Sequence, residues 1–290
     1  MPGRHSLIGI FHATEGSAKR GVLLVVGGPQ YRVGGHRQFL LLARHLAANG
    51  VPVLRMDYRG MGDADGEYLG FEHVSADIAA GIDALLAQAP ELDEVVLWGL
   101  CDAASANLFY AAGDPPVTGV VLLNPWVRTV AGEAKAYLRH YYLSRLRDPA
   151  FWRKLASGGV NPATVLKSMG NLIAKATGKS EPEPEKQETE TEQTEPTLLM
   201  PAAPDDATPL PDRMLAAMQT FDGAVLLIIS GQDLTAKEFL DAASASRGWR
   251  QQLAAARVVR RDLEAADHTF SRREWRDRIS AWTLEWLKSW

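Results

Sequence analysis

Apolar runs rich in Val, Leu and Ile alternate with segments of helical periodicity through the first half of the chain, and this alternation restricts the fold more than any other feature. The runs are Gly21–Val26, Val51–Met56, Val95–Trp98 and Val117–Leu123, and the helical patterns that follow them cover His36–Asn49, His73–Ala89 and Asp102–Ala112. A continuously apolar strand is covered on both faces, as happens when parallel strands are joined by helical crossovers. Leu7–His12 reads as an antiparallel edge strand ahead of the series. Ala224–Ser230 and Arg257–Leu263 read as two later strands, and Arg272–Leu287 as a closing helix. The expected fold class is α/β: a doubly wound, mostly parallel sheet with helices on both faces.

Residues 125–220 interrupt the series for longer than an ordinary crossover does. Their first part is helical in pattern and rich in aromatic and basic residues, among them Trp126, Arg128, Tyr137, Arg139, Tyr142 and Trp152. Their middle is a low-complexity acidic tract at about 178–210, with nothing in it to build a core, and is expected to be disordered. The reading is therefore a core made of residues 1–124 and 221–290 and an insertion at 125–220. That insertion has the composition of a helical lid; the alternative is a surface excursion without a role.

A chain of 290 residues with 46% apolar content can bury a sizeable core. No apolar run approaches the roughly 20 residues needed to span a bilayer, and the first residues lack the apolar stretch of a secretory signal, so a cytoplasmic protein without an integral membrane segment is expected. A single cysteine permits no internal disulfide and no cysteine-based metal cluster within one chain. Neither a cofactor nor a metal is called for. The net charge of −4 is concentrated in residues 180–196, where seven Glu and one Lys give −6 and leave +2 for the rest. A body so close to neutral lacks the basic face that nucleic-acid binding requires. Trp275, Trp282, Trp286 and Trp290 fall near one helical face, which suits a helix packed on a sheet better than one lying on a membrane. The sequence leaves the oligomeric state open.

That lone cysteine, Cys101, stands in Trp-Gly-Leu-Cys-Asp-Ala-Ala-Ser-Ala, where an apolar strand turns abruptly into an Ala-rich helix. A tight strand-to-helix turn flanked by small residues is how a nucleophile elbow presents its side chain above a sheet edge. The helix N-terminus also favours thiolate over thiol. By itself, a lone cysteine is equally a small buried hydrophobe. Ligands in open parallel sheets bind beyond the carboxyl ends of the strands, so the residues following each run are the informative ones. They are Gly27-Gly28-Pro29-Gln30-Tyr31-Arg32, Asp57-Tyr58-Arg59-Gly60-Met61-Gly62-Asp63, Cys101, Gly231-Gln232-Asp233 and Ala266-Asp267-His268.

A thiol nucleophile needs a base, and the base needs an acid to fix its tautomer and steady its charge. His268 and Asp233 stand at suitable strand ends, in the chain order nucleophile, acid, histidine. Asp233 could instead be only a helix N-cap, and Asp267 is a second candidate to orient the histidine. The oxyanion hole would use the N–H of Asp102 and a second N–H from the glycine-rich loop. Pro29 has none to give, so Gly28 or Gln30 supplies it, with Gln30 preferred. Tyr31, Arg32, His36 and Trp126 are candidates for substrate binding, while Asp57 and Arg59 read as braces of their turn.

Taken together, Gly-Leu-Cys-Asp-Ala-Ala, Asp-Tyr-Arg-Gly-Met-Gly-Asp, Gly-Gly-Pro-Gln-Tyr-Arg-Val-Gly and the late Asp-His resemble the α/β-hydrolase superfamily. More narrowly they resemble the hydrolase 1 group associated with the exosortase A system of exopolysaccharide-producing bacteria. The resemblance implies a triad of Cys101, Asp233 and His268. Cysteine stands where serine is usual, and Ala103 replaces the second glycine of the elbow. Cysteine variants of the superfamily include both hydrolases and acyltransferases. The expected activity is cleavage of a small-molecule acyl ester or thioester through an acyl-cysteine; the alternatives are acyl transfer to a sugar or other alcohol, and a non-catalytic binding protein on the same fold. A dinucleotide site is disfavoured, because G-x-G-x-x-G is absent and Pro29 removes a donor from the phosphate cradle.

Overall fold

The computed structural model describes residues 5–28, 30–114, 116–127 and 208–290. Seven strands form one sheet: β1 (Ile8–His12), β2 (Arg20–Val25), β3 (Val53–Asp57), β4 (Glu94–Leu100), β5 (Val117–Leu123), β6 (Ala224–Ser230) and β7 (Val258–Leu263), in the spatial order β1-β3-β2-β4-β5-β6-β7. Every pair is parallel except β1 with β3. The inner strands are buried along their length, with Val22 to Val26 fully enclosed. β1 and β7, the two edges, keep partly exposed residues because each has a neighbour on one side only.

Helix α1 (Gln38–Ala47) carries the chain outward from β2 to β3, and α2 (Ser75–Gln88) carries it back over β2 to β4. Right-handed crossovers running in opposite directions lie on opposite faces of a sheet, which makes the sheet doubly wound. α3 (Asp102–Ala111) continues in the direction of α2 and packs against it. α4 (Leu210–Thr220) lies against α3, and α5 (Leu234–Ala245) against α6 (Arg247–Leu253). On the other face α1 packs with α7 (Arg273–Leu287). Phe39 of α1 meets Trp98 of β4 edge to face, with centroids 5.5 Å apart, and Trp98 Nε1 donates to Thr283 Oγ1 of α7 at 3.4 Å. These contacts fill the layer between sheet and helices. Trp275 and Trp286 are buried within it, whereas Trp290 lies under the Arg20 guanidinium, 3.5 Å from the ring centroid.

Several boundaries differ from the sequence reading. α1 begins at Gln38 because a 3₁₀ turn, Gly35–Arg37, precedes it with His36 and Arg37 at φ 52° and 60°. Left-handed backbone at two non-glycine residues cannot belong to the helix whose side-chain pattern they extend. Residues 210–220, read as part of the insertion, form α4, which starts beside Pro209 and Pro211 and packs on α3 and α6. The described residues belong to one compact unit that reaches Val127 and resumes at Thr208. The helical lid pattern from Arg128 onward and the acidic tract up to residue 207 lie outside the described residues. Among those described, no helix is long and apolar enough to cross a membrane.

The registers decide what the sheet can present. Leu100 of β4 lies opposite Leu123 of β5, Leu123 opposite Ile228 of β6, and Ser230 opposite Leu263 of β7. The strands thus end nearly level. Cys101, Asn124, the 231–233 turn and the 264–268 loop all emerge at one edge.

Candidate active site

Cys101 joins β4 directly to α3, with φ 63° and ψ −124°. A non-glycine residue in this sparsely populated region costs about 1–3 kcal/mol and persists only where its surroundings enforce it. They do so here: Cys101 N donates to Leu123 O at 2.9 Å, and Cys101 O accepts from Ala104 N at 3.1 Å and Trp126 N at 3.2 Å. The close approach of strand and helix also needs Gly99. A Cβ at that position would stand 2.6 Å from Asn107 Nδ2 and 2.7 Å from the Ala103 carbonyl carbon. The turn holds a partly buried cysteine at the head of a ten-residue helix.

Asp233 ends the turn after β6, and its side chain is only 6% exposed. One oxygen accepts from Thr235 N at 3.0 Å and the other from Ala236 N at 3.2 Å, so it caps α5. With the proton on Nδ1, His268 donates to Asp233 Oδ2 at 2.9 Å. The capping and orienting roles, rivals at the level of sequence, coexist in one carboxylate. Asp267 is committed elsewhere, accepting from Ser271 N at 2.9 Å and from the Ser271 hydroxyl.

Asn124 follows β5, fully buried and at φ 42°. Its Nδ2 donates to Ser230 Oγ at 2.8 Å and His268 O at 3.3 Å, and its Oδ1 accepts from Ser230 N at 2.9 Å. It thereby ties the end of β5 to β6 and to the histidine loop. The sequence reading missed it, although inspection of the residue after every apolar run would have found it. Tyr58 and Tyr68 were also missed as site residues. Their rings stack with centroids 6.2 Å apart. Burial, reinforced by the charge of Asp102, pushes the Tyr58 hydroxyl well above its ordinary range and that of Tyr68 up to about 12, with Cys101 adding to the shift at Tyr68. Both stay neutral at neutral pH.

The oxyanion candidates divide. Gly28 N donates to the Asp102 carboxylate, 2.7 Å from Oδ1 and 2.9 Å from Oδ2, so this N–H is committed to a protein anion. Gln30 stands two residues further along the same loop, half-buried. Asp102 itself is 2% exposed, and Oδ1 also accepts from Ala103 N at 2.9 Å. Burial pushes its carboxyl up to about 6, against the opposing pull of the N–H groups of Gly28, Ala103 and Asp102 and of the His268 charge.

The substrate-binding candidates are less uniform. Arg32 is engaged by two carboxylates, Asp57 and Asp63, the latter at 2.9 Å, and Asp57 Oδ1 accepts from Arg32 N at 2.6 Å. The Tyr31 hydroxyl donates to Asp63. Arg59 pairs with Asp77 at 2.8 Å. Asp57 and Arg59 therefore brace their turn, and Arg32 joins that brace. His36 is exposed, with its carbonyl accepting from Arg276. Trp126 lies against the elbow, its N–H donating to Cys101 O at 3.2 Å, and its carbonyl accepts from Ser105 Oγ at 2.7 Å. Among the described residues no group of three or more His, Cys, Asp or Glu side chains could hold a metal ion.

A family model described as the alpha/beta hydrolase family matches residues 22–282. The chain belongs to the α/β-hydrolase family. Solved structures agree in fold. An esterase of Pyrococcus furiosus superposes with a TM-score of 0.59 at 14% identity, over 98% of this chain and 91% of that one. An esterase of Thermogutta terrifontis gives 0.55 at 17% identity over 99% and 94%. A monoacylglycerol lipase of Paleococcus ferrophilus gives 0.55 at 17% identity over 97% and 98%. Comparison with curated protein sequences gives no match. In this α/β-hydrolase the elbow carries sulfur, and the carboxylate beside it reaches back to the glycine-rich loop.

Proposed function

We propose that this α/β-hydrolase cleaves a small-molecule acyl ester or thioester through an acyl-cysteine at Cys101. The observation that carries the reading is the Asp233–His268 hydrogen bond of 2.9 Å at the same sheet edge as a strained cysteine on a strand-to-helix turn. With Nδ1 held by Asp233, Nε2 of His268 takes the thiol proton. The thiolate attacks the acyl carbon, and the carbonyl electrons move onto oxygen, facing the N–H groups of Asp102 and Gln30. Each such donor is worth roughly 3–4 kcal/mol in comparable sites. Collapse expels the alcohol or thiol, protonated by His268. Water then attacks the thioester, gives its proton to His268, and releases the acid as the thiol is restored. The esterases and lipase of similar fold support an ester as the substrate class.

Sulfur in place of oxygen favours a second reading, acyl transfer, in which an alcohol such as a sugar hydroxyl replaces water in the second half. The motifs around Cys101 and Asp57 further support placing the chain in the exosortase A-associated hydrolase 1 group, acting in the cytoplasm. The test is intact-mass analysis after exposure to p-nitrophenyl butyrate and a short acyl thioester, with Cys101→Ala as control. A butyryl adduct on Cys101 that decays in buffer supports hydrolysis. Decay only with added sugar supports transfer. Undiminished turnover by Cys101→Ala would falsify both.

A further inference from the structure

The carboxylate of Asp102 lies between two parts of the candidate site that leave the paired strands β2 and β4 just beyond the end of their ladder. On one side is the first turn of α3, whose Ala103 N–H it accepts at 2.9 Å. On the other is the β2–α1 loop, whose Gly28 N–H it accepts at 2.7 and 2.9 Å. A Cβ on Gly27 would stand 2.3 Å from Asp102 Oδ1 and 2.5 Å from Leu100 O, so glycine at this position is what lets the loop close onto the carboxylate. The side chain is 2% exposed, and its hydrogen bonds come from the Gly28 and Ala103 amides. Burying a carboxylate on backbone amides alone is costly, and the two amides belong to the two segments that carry the proposed oxyanion donors.

We infer that the Asp102 side chain is a positioning residue, clamping the Gly28 peptide to the head of α3 and so fixing the Gln30 N–H for the oxyanion. This rests on the acyl-cysteine reading. It also divides the roles within Gly28-Pro29-Gln30: Gly28 anchors the loop, and Gln30 donates. Asp102 acts on the reaction through the loop. One oxygen, Oδ1, serves both amides, so an asparagine can keep the clamp without the charge, whereas alanine removes it.

The experiment compares wild type with Asp102→Asn and Asp102→Ala, using p-nitrophenyl butyrate for kcat and KM and iodoacetamide for the labelling rate of Cys101. For Asp102→Ala the expected result is a kcat lower by on the order of 10²-fold, the scale of a misplaced oxyanion donor, with KM changed less than about threefold and Cys101 still labelled. Asp102→Asn should restore kcat to within about fivefold of wild type. An unchanged kcat in Asp102→Ala overturns the clamp, and so does an Asn variant as impaired as Ala, because charge would then matter and the hydrogen bond would not. If Asp102→Ala does not fold, Asp102→Ser takes its place under the same two criteria, since its hydroxyl is too short to join Ala103 N to Gly28 N. Failure of the acyl-cysteine reading shows separately, as full turnover by Cys101→Ala.

Discussion

Asp102→Asn also has a thermodynamic consequence whose size follows from the structure. The buried carboxyl is pushed up to about 6 from 3.8, its ordinary value, so the fold favours the protonated form. The resulting stability is fully present below pH 3.8 and is lost as pH rises through about 6. A shift of about two units at 1.36 kcal/mol each makes the loss about 3 kcal/mol, and about half of it falls between pH 5 and pH 8. Asparagine does not titrate there. The stability of Asp102→Asn minus that of wild type should therefore rise by roughly 1–2 kcal/mol from pH 5 to pH 8. Any pH-independent change in hydrogen bonding to Gly28 or Ala103 cancels in that difference. The charged and titratable neighbours are Cys101, His268, Tyr58 and Tyr68. The tyrosines are pushed upward and stay neutral throughout the window, and the attraction of His268 is already contained in the value of about 6. Urea denaturation of both proteins at one-unit pH intervals measures the quantity. A flat difference, or one that falls with pH, would refute the claim that burial dominates at this carboxyl.

Three further outcomes follow from contacts already described. Cys101→Gly should be more stable than Cys101→Ala by about 1 kcal/mol in thermal or urea unfolding, since glycine relieves the positive φ, while both lack turnover. Asp233→Asn should leave stability within about 0.5 kcal/mol of wild type, because its oxygen still caps α5, yet lower kcat by on the order of 10²–10⁴-fold; Asp233→Ala should add a stability loss of about 1 kcal/mol. Arg32→Met strands the Asp57 carboxylate, whose side chain is 0% exposed, and should cost about 3 kcal/mol in unfolding free energy; a loss under 1 kcal/mol would show that the amides of Arg32 and Asp63 satisfy Asp57 unaided.

The sheet was legible because its inner strands are buried on both faces and read as unbroken apolar runs. The candidate site was legible in part because such a sheet delivers its chemistry at strand ends, where Cys101, Asp233 and His268 stand. What sequence could not supply was the aim of individual polar groups. Arg32 was read as facing substrate, but Asp57 and Asp63 lie on the neighbouring loop, and only the fold brings those carboxylates to the guanidinium. Gly28 is a candidate donor because Pro29 beside it has no N–H to give; the Asp102 side chain that takes up the Gly28 N–H is 74 residues away. Tyr68 lies in a loop without periodicity, so nothing local marks it as the partner of Tyr58. The left-handed turn at His36 and Arg37 has no glycine at either residue to signal it.

The proposed nucleophile, acid and base come from three strand ends, and the 132 residues from Cys101 to Asp233 and the further 35 to His268 must all be synthesised before they can meet. During synthesis the elbow between β4 and α3 emerges first, carrying a thiol whose proposed base is still unmade. Because Asn124 links the β5 end to Ser230 and to the His268 carbonyl, that tie also forms only when the last third of the chain is in place. On the acyl-cysteine reading, the proposed triad is thus complete only with the finished fold.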